Sequence, residues 1–151
     1  MTDAELQAYL HDRIPITRAM GFTIAGSGPD RISIAVPLSL NGNHQGTAFG
    51  GSISAALTTA AWACVHIAAG TLDPDAIVVV RDGTTHYDLP LHTDFIAEAE
   101  YLSEHERHRM QQRYERSGRV KVRHNARILH DGQVAASFAG SFVILAPQPR
   151  E

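Results

Sequence analysis

The chain has 151 residues, of which 44% are hydrophobic, and it carries a formal net charge of −3 with an isoelectric point near 6.3. This length fits one domain over residues 1–151 with a sizeable core, and the weakly acidic balance argues against nucleic-acid binding and against a polybasic membrane-surface protein. The single cysteine, Cys64, excludes an intrachain disulfide, and no Cys/His spacing is typical of a zinc site, so we expect no metal or other cofactor.

The amino-terminal segment predicts a short helix followed by two strands. Thr2 and Glu5 have the spacing of a capping box, which favours a helix over residues 2–13, and Pro15 ends that pattern. The early acidic residues and the lack of an apolar stretch argue against a secretory signal, so we expect a cytoplasmic protein. A short strand, a glycine-rich turn and an alternating strand should follow, over residues 22–25, 26–30 and 31–38.

An uncharged segment from Gly50 to Gly70 follows a loop rich in asparagine and glycine over residues 39–49. Its length approaches that of a membrane span. Alanine dominates over leucine, however, and polar residues interrupt the segment at Ser52, Ser54, Thr58, Thr59 and His66. We therefore expect a central helix that is enclosed on every side by the rest of the protein, and no membrane association.

The remaining chain predicts four strands. A polar, arginine-rich stretch separates the first two from a final hairpin, and this stretch should form a short helix or an irregular excursion. The strands occupy residues 76–87, 94–102, 118–129 and 133–145, with the arginine-rich stretch over residues 103–117. Because long strands that follow one another directly form antiparallel sheets, the pattern predicts an α+β fold in which one curved antiparallel sheet wraps around one long central helix.

The segment over residues 37–57, PLSLNGNHQGTAFGGSISAAL, resembles the hot-dog-fold thioesterases. It is most similar to a thioesterase family that also occurs as the carboxy-terminal domain of some acetyltransferase fusions. The matching features are Pro37-Leu38, Asn41, Asn43, the Gly-Thr-Ala-Phe-Gly-Gly-Ser run over residues 46–52, and Trp62. The resemblance implies a hot-dog fold, hydrolysis of an acyl-CoA or acyl-carrier thioester, and a homodimer whose acyl channel lies between the protomers.

More distantly, the same loop resembles the Asn-x-x-Gly-x-x-His-Gly-Gly motif of phenylacetyl-CoA-type thioesterases. The residues that match are Asn43, Gly46, Gly50 and Gly51. Phe49 stands where that motif has His. In that group a carboxylate on the helix, eight residues after the first glycine of the pair, acts as nucleophile or base; the corresponding residue here is Thr58.

Thioester hydrolysis places negative charge on the carbonyl oxygen, and backbone N–H groups aimed at that oxygen stabilise the transition state. The first turn of a helix has unpaired N–H groups and a positive dipole end. Gly50 and Gly51 are the candidates for this role, because a substrate can approach a backbone that lacks Cβ atoms; alternatively, they only allow tight packing of the helix. Asn43 could orient the attacking water or the thioester, or could instead close a turn of its own loop.

A general base is harder to assign, because the central helix contains no Asp or Glu. Asp82 is the best carboxylate candidate, and partial burial would suit it to base catalysis. Alternation places it on one strand face with Val78, Val80, Thr84 and His86. The alternative role for Asp82 is an ion pair with a neighbouring strand. Thr58 could hold a water, but we expect a core residue whose hydroxyl bonds back one turn.

Further candidates for contact with the substrate are Thr47, Phe49, Ser52, His44, His86 and Tyr87. Phe49 and Tyr87 could shape the acyl pocket, whereas Ser52 could simply cap the helix. The arginines between Arg107 and Arg123 could hold the phosphates of CoA, or could form a solvated face that nearby glutamates balance.

Two other functions fit the same scaffold. An acyl-thioester hydratase or dehydratase would need a His and an acidic residue placed to move protons at adjacent carbons, and no such motif is present. A non-catalytic acyl-CoA-binding module is the other alternative, which the missing helix carboxylate favours.

Overall fold

A computed structural model describes residues 1–26 and 28–149 of the chain. Its helices are α1 (Asp3–Arg13), α2 (Pro15–Ala19), α3 (Leu38–Asn41), α4 (Gly50–Gly70) and α5 (Glu104–Ser117). Its strands are β1 (Thr23–Ile24), β2 (Arg31–Val36), β3 (Ile77–Tyr87), β4 (Phe95–Glu100), β5 (Arg119–His130) and β6 (Gln133–Leu145). The turn predicted over residues 26–30 includes residue 27, which lies outside the described residues.

The six strands form one antiparallel sheet in the order β1-β2-β4-β5-β6-β3. The predicted hairpin joins β5 to β6 through Asp131 and Gly132, whose φ angles are 50° and 77°. Two successive residues with positive φ are typical of the type I′ turn that suits a two-residue hairpin loop. Strand β3 lies at one edge of the sheet and, among the described strands, pairs only with β6.

Helix α4 packs against one face of the sheet and forms the centre of the core. It contacts β2, β3, β4, β5 and β6, and eleven of its 21 residues are buried. By length and composition this helix could cross a membrane, but 56% of its most apolar window is buried inside the protein, as is typical of a core helix. The predicted α+β hot-dog architecture, with a curved antiparallel sheet around one long helix, is confirmed.

Three elements differ from the prediction. The short helices α2 and α3 were not expected, and β1 is limited to Thr23–Ile24, where the Ile24 N–H bonds to Gln7 Oε1 of α1 at 3.0 Å. The arginine-rich stretch forms a regular helix, α5, which is one of the two predicted alternatives. Ser103 and Glu106 form its capping box, and Gly118 ends it with a φ of 67°.

A β-bulge interrupts strand β3 at Arg81. Val80 is opposite Phe142 of β6, and Asp82 is opposite Ser141, so Arg81 is the extra residue. Because Phe142 and Ser141 are adjacent on β6, their side chains lie on opposite faces of the sheet. The bulge therefore places Val80 and Asp82 on opposite faces as well, although they are two positions apart in the chain.

Candidate functional site

The first turn of helix α4 presents backbone N–H groups that have no acceptor. Phe49 is the N-cap residue, and its carbonyl accepts the Ile53 N–H at 3.1 Å. No side chain caps the helix, and within the described residues the N–H groups of Gly50, Gly51 and Ser52 have no hydrogen-bond partner. The positive end of a largely buried helix therefore has three unpaired amides, of which those of the partly exposed Gly50 and the exposed Gly51 belong to accessible residues.

Two aromatic rings flank the glycine pair. The ring of Phe49 folds back over Gly51, where a Cβ atom would overlap it. A Cβ atom on Gly50 would lie 3.5 Å from Cε1 of Tyr87, which is an ordinary contact. A Cβ atom at position 51 would therefore displace the exposed Phe49 ring, whereas one at position 50 would displace nothing. Phe49 is 56% exposed and Tyr87 is 54% exposed, so the amides open onto the surface between the two rings.

Tyr87 ends strand β3 and connects this strand to the start of α4. Its hydroxyl donates a hydrogen bond to the carbonyl oxygen of Gly50 at 3.1 Å. One turn further along the helix, the hydroxyls of Ser54 and Thr85 lie 3.3 Å apart and link the same two elements again. The edge strand thus fixes the orientation of the first turn of the helix.

Asn43 uses its side-chain amide within its own loop. Its Oδ1 accepts the N–H groups of Gln45 at 2.9 Å and Thr47 at 3.1 Å. Its Nδ2 donates to Thr47 Oγ1 at 2.8 Å. Both ends of the amide are therefore engaged, which favours the loop-architecture alternative over direct contact with a substrate.

Asn41 holds the residue that precedes the helix, although it was not among the site residues predicted from the sequence. Its side chain is 2% exposed, and Nδ2 donates to the carbonyls of Met20 and Pro37, each at 2.8 Å. Its own carbonyl accepts the Phe49 N–H at 2.7 Å. Among the described side chains, its Oδ1 is the one buried oxygen or nitrogen without a partner. The only signal in the sequence was its place in the Asn-x-Asn pattern.

Thr58 lies on the half-buried side of α4 that faces β3. Ser54 one turn before it and Trp62 one turn after it both hydrogen-bond to β3. The residue that bonds back one turn is Thr59, to the Ala55 carbonyl at 2.7 Å, so the expectation of such a bond from Thr58 is wrong. The Thr58 hydroxyl has no partner within the part of the chain that the structure describes, and it is free to bind a water.

Asp82 lies on the outer face of the sheet, away from α4. The predicted face shared with Val78 and Val80 is wrong, because alternation does not continue through the bulge at Arg81. The Asp82 carboxylate is exposed, and its Oδ1 accepts the Ser141 N–H at 3.2 Å. This hydrogen bond gives Asp82 a role in closing the bulge and directs it away from the glycine pair.

The other candidates divide between the two sides of the sheet. Thr47 lies in the loop that leads to α4, and Ser52 is buried in the first turn without capping it. His44 is exposed at the tip of the loop, 3.3 Å from the Gln45 side chain. His86 is exposed on the outer face with Asp82. The structure thus brings Gly50, Gly51, Ser52, Phe49 and Tyr87 together and separates them from Asp82 and His86.

Reactive groups elsewhere do not join this cluster. Cys64 lies in the buried middle of α4, with Sγ 3.5 Å from the Ala99 carbonyl, and burial raises the pKa of its thiol to about 12. Such a thiol stays protonated and inert at neutral pH. Across residues 1–26 and 28–149, no three His, Cys, Asp or Glu side chains form a cluster that could hold a metal ion.

Comparison with known proteins identifies a family and a fold. A family model described as "Putative thioesterase (yiiD_Cterm)" matches residues 3–146. A protein of unknown function from Chlorobaculum tepidum TLS is 26% identical, with a TM-score of 0.91 over 96% of this chain and 94% of that one. A "putative thioesterase" from Shewanella oneidensis is 23% identical, with a TM-score of 0.83 over 95% and 97%. A thioesterase from Haemophilus influenzae is 16% identical, with a TM-score of 0.71 over 96% and 91%. No curated protein matches the chain.

Proposed function

The chain belongs to the YiiD carboxy-terminal thioesterase family, and from this premise we propose that it hydrolyses an acyl thioester of CoA or of an acyl carrier at the start of helix α4. The observation that carries the proposal is the uncapped first turn, in which the N–H groups of Gly50 and Gly51 have no acceptor in the described protein. Donors already fixed at the positive end of a helix stabilise a developing oxyanion without reorganising.

In the proposed reaction, a water oxygen attacks the carbonyl carbon of the thioester. The carbonyl oxygen becomes an oxyanion that accepts hydrogen bonds from the Gly50 and Gly51 amides. Collapse of this intermediate breaks the carbon–sulfur bond and expels a thiolate, which takes up the proton that the attacking water loses. The products are a free thiol and a carboxylic acid, which releases its remaining proton to solvent and becomes a carboxylate. Loss of one such donor typically raises the barrier by about 3–4 kcal/mol.

Thr58 is the side chain on α4 that we assign to positioning the attacking water. Its hydroxyl is unpartnered among the described groups, and the helix carries no carboxylate. At a rise of about 1.5 Å per residue, Thr58 lies roughly 12 Å along the helix from Gly50. This distance is too large for both residues to act on one carbonyl, so we assign each Thr58 to the site of a second copy of the chain.

A homodimer follows from the same proposal. The unpaired edge of β3 exposes apolar side chains, namely Ile77 (44%), Val79 (44%), Val80 (51%) and Tyr87 (54%). Exposed strand edges are usually paired or covered. Pairing of β3 with its counterpart about a two-fold axis would bury these side chains and would enclose the surface between Phe49 and Tyr87 as an acyl channel.

Incubation with a panel of acyl-CoAs, followed by detection of free thiol, tests the activity. Release of CoA supports hydrolysis, consumption of an enoyl-CoA without thiol release indicates a hydratase, and tight binding without either indicates a binding module. The buried Cys64, with its pKa near 12, adds no background to the thiol signal of the folded protein. Light scattering on the active sample tests the dimer, and an active monomer would contradict it.

A further inference from the structure

Positive charge is concentrated in one segment of the chain. Residues 104–123 hold seven of the 13 Lys and Arg residues but only three of the 16 Asp and Glu residues, which gives this segment a charge of +4. Because the whole chain carries −3, the other residues together carry −7. Such segregation of charge creates a local field that attracts anions.

The cations of this segment form few polar contacts with other described side chains. Within the described residues, ion pairs involve Arg18, Arg31, Arg127 and His130, and none involves a cation of the 104–123 segment. The one hydrogen bond that their side chains form runs from Arg123 Nη1 to Ser141 Oγ at 3.2 Å. The glutamates of the segment therefore do not neutralise these cations by direct contact.

These cations surround a cleft of about 350 Å³ between α5 and β5. Its polar lining consists of Arg109, Arg113, Lys121 and Arg123, with Glu106 as the one carboxylate. Its apolar lining consists of Met110, Val120 and Val122. This volume lies within the range of small-molecule sites, which spans about 300–1,000 Å³.

The topology of the sheet explains why the cleft exists. Strand β4 pairs with β5 at Glu98↔Arg127 and Ala97↔Ile128, and within the described strands it does not reach residues 119–123. Those residues have β6 on one side and α5 on the other. The Ala146 N–H donates to the Gly118 carbonyl oxygen, so Gly118 directs its backbone polar groups toward β6. Successive residues of an antiparallel strand point these groups alternately toward and away from one neighbour. The N–H groups of Lys121 and Arg123 therefore point away from β6.

We propose that this cleft binds a phosphorylated adenosine. Arginine guanidinium groups suit phosphate oxygens because they donate in a planar fork, and Arg109 and Arg113 lie one turn apart on the same side of α5. The nucleoside lies over the apolar floor of the cleft, where Met110, Val120 and Val122 are each no more than 9% exposed, so the cationic side chains supply most of the contact. The nucleotide has two possible sources, the CoA end of the thioester substrate or a free regulatory nucleotide.

The position of the cleft relative to the glycine pair separates these sources. Tyr114 of α5 donates to Asp73 Oδ2 at 3.1 Å, just beyond the carboxyl end of α4, so the cleft lies at the opposite end of α4 from Gly50. In the proposed dimer, which rests on the proposed function, antiparallel pairing brings the Ile77 end of one β3 beside the Tyr87 end of the other. The cleft of one copy would then lie at the same end as the glycines of the second copy.

Calorimetric titration of the full chain with adenosine 3′,5′-bisphosphate tests the proposal without turnover. We expect the double variant Arg109→Gln/Arg113→Gln to weaken binding at least about tenfold, because hydrogen bonds between charged groups are lost. The matched control Arg107→Gln/Arg116→Gln removes two charges from the same helix outside the cleft and should change Kd little. Glu106→Gln, which keeps the capping box, should tighten binding.

Three results would contradict the proposal that the cleft binds a phosphorylated adenosine. They are no binding by the wild-type chain, equal weakening of binding by both double variants, or binding of an acidic protein in place of the nucleotide. A kinetic measurement then identifies the source. If the cleft variants raise the KM for acyl-CoA relative to that for acyl-N-acetylcysteamine, which has no phosphate, the nucleotide is the CoA end of the substrate. Nucleotide binding with an unchanged KM ratio identifies a free nucleotide. If the protein binds the nucleotide but does not hydrolyse any thioester, the proposed activity is contradicted and the proposed nucleotide site is not.

Discussion

The Tyr87 hydroxyl donates a hydrogen bond to the Gly50 carbonyl at 3.1 Å, and that carbonyl belongs to the same peptide unit as the Gly51 N–H. A hydrogen bond accepted by the carbonyl of a peptide polarises its N–H and makes it a better donor. The end of the edge strand therefore fixes both the orientation and the strength of a proposed oxyanion donor.

Substitution of Tyr87 by Phe tests this link, since it keeps the ring against Gly50 and removes only the hydroxyl. We expect kcat for acyl-CoA hydrolysis to fall roughly five- to tenfold, which corresponds to one net hydrogen bond of about 1 kcal/mol. Thermal stability should change little, because Tyr87 is 54% exposed. Thr85→Val is the matched control, because it removes the neighbouring β3–α4 hydrogen bond without touching Gly50. Equal losses in the two variants would contradict the link.

Gly50 allows an oxyanion donor to be deleted with little change in shape. Proline is tolerated at the first position of a helix, and the extended conformation of Phe49, with ψ 131°, suits a residue that precedes proline. We expect Gly50→Pro to lower kcat by about 10²–10³, because it removes the N–H group. Gly50→Ala keeps that N–H, and its Cβ would lie 3.5 Å from the Tyr87 ring, so it serves as the control. Steady-state kinetics measure kcat for both variants. If Gly50→Pro and Gly50→Ala have equal kcat values, the Gly50 N–H is not an oxyanion donor.

Asn41 should affect both stability and turnover. Asn41→Ala leaves the carbonyls of the half-buried Met20 and Pro37 without this donor, which should lower the free energy of unfolding by about 2–3 kcal/mol. It also releases the residue whose carbonyl holds the Phe49 N–H, so kcat should fall while KM stays near its wild-type value. Thr17→Ala, which removes a buried side chain that bonds only within its own segment, should destabilise the fold and spare kcat. If Thr17→Ala lowers kcat as much, the loss reflects stability alone.

The central helix could be predicted from the sequence because only one environment suits it. An uncharged segment of 21 residues, rich in alanine and bounded by Gly50 and Gly70, must be enclosed, and the surrounding strands supply the enclosure. The glycine pair at its start could be predicted for the same reason, from a loop that ends where the uncharged segment begins. These features depend on local pattern, which a single sequence records.

The side of the sheet that Asp82 occupies could not be predicted in this way. It depends on the bulge at Arg81, which forms where Gly83 faces Gly140 across two strands and a Cβ atom on Gly140 would overlap the Asp82 carbonyl. The two glycines meet only in the folded sheet. Asn43 was ambiguous for another reason, since an amide that closes a loop and an amide that holds a substrate are the same residue in a sequence.

Asp82→Asn should therefore retain turnover. In the wild-type chain the Ser141 N–H donates to Asp82 Oδ1 at 3.2 Å, and asparagine keeps an oxygen that can accept the same hydrogen bond. We therefore expect the free energy of unfolding to change by at most about 0.5 kcal/mol. Steady-state kinetics and chemical denaturation of the same preparation test both statements. Loss of turnover in a folded Asp82→Asn variant would return the carboxylate to the mechanism and would contradict its assignment to the outer face.

Acid should destabilise the fold through two histidines. His66 packs against the rings of Tyr9 and Trp62, with centroids 4.7 and 4.6 Å away, and burial lowers its pKa below the usual 6.5. Burial also lowers the pKa of His124, whose Nε2 lies 2.8 Å from the Glu100 carbonyl oxygen. With a folded pKa below the unfolded one, the unfolded chain binds more protons as the pH falls below 6.5, so the free energy of unfolding decreases with acidification.

Urea denaturation at about pH 7.5 and about pH 5.5 measures this effect above the range in which most carboxylates titrate. We expect lower stability at the acid pH and a smaller pH dependence in His66→Phe, which keeps an aromatic ring against those of Tyr9 and Trp62 but cannot be protonated. His44→Phe is the control, because it replaces an exposed histidine outside the aromatic cluster. Two outcomes would contradict this explanation: stability that rises on acidification, or a pH dependence that His66→Phe does not reduce. Either would show that the site around His66 tolerates a charged imidazole and that burial does not control its protonation.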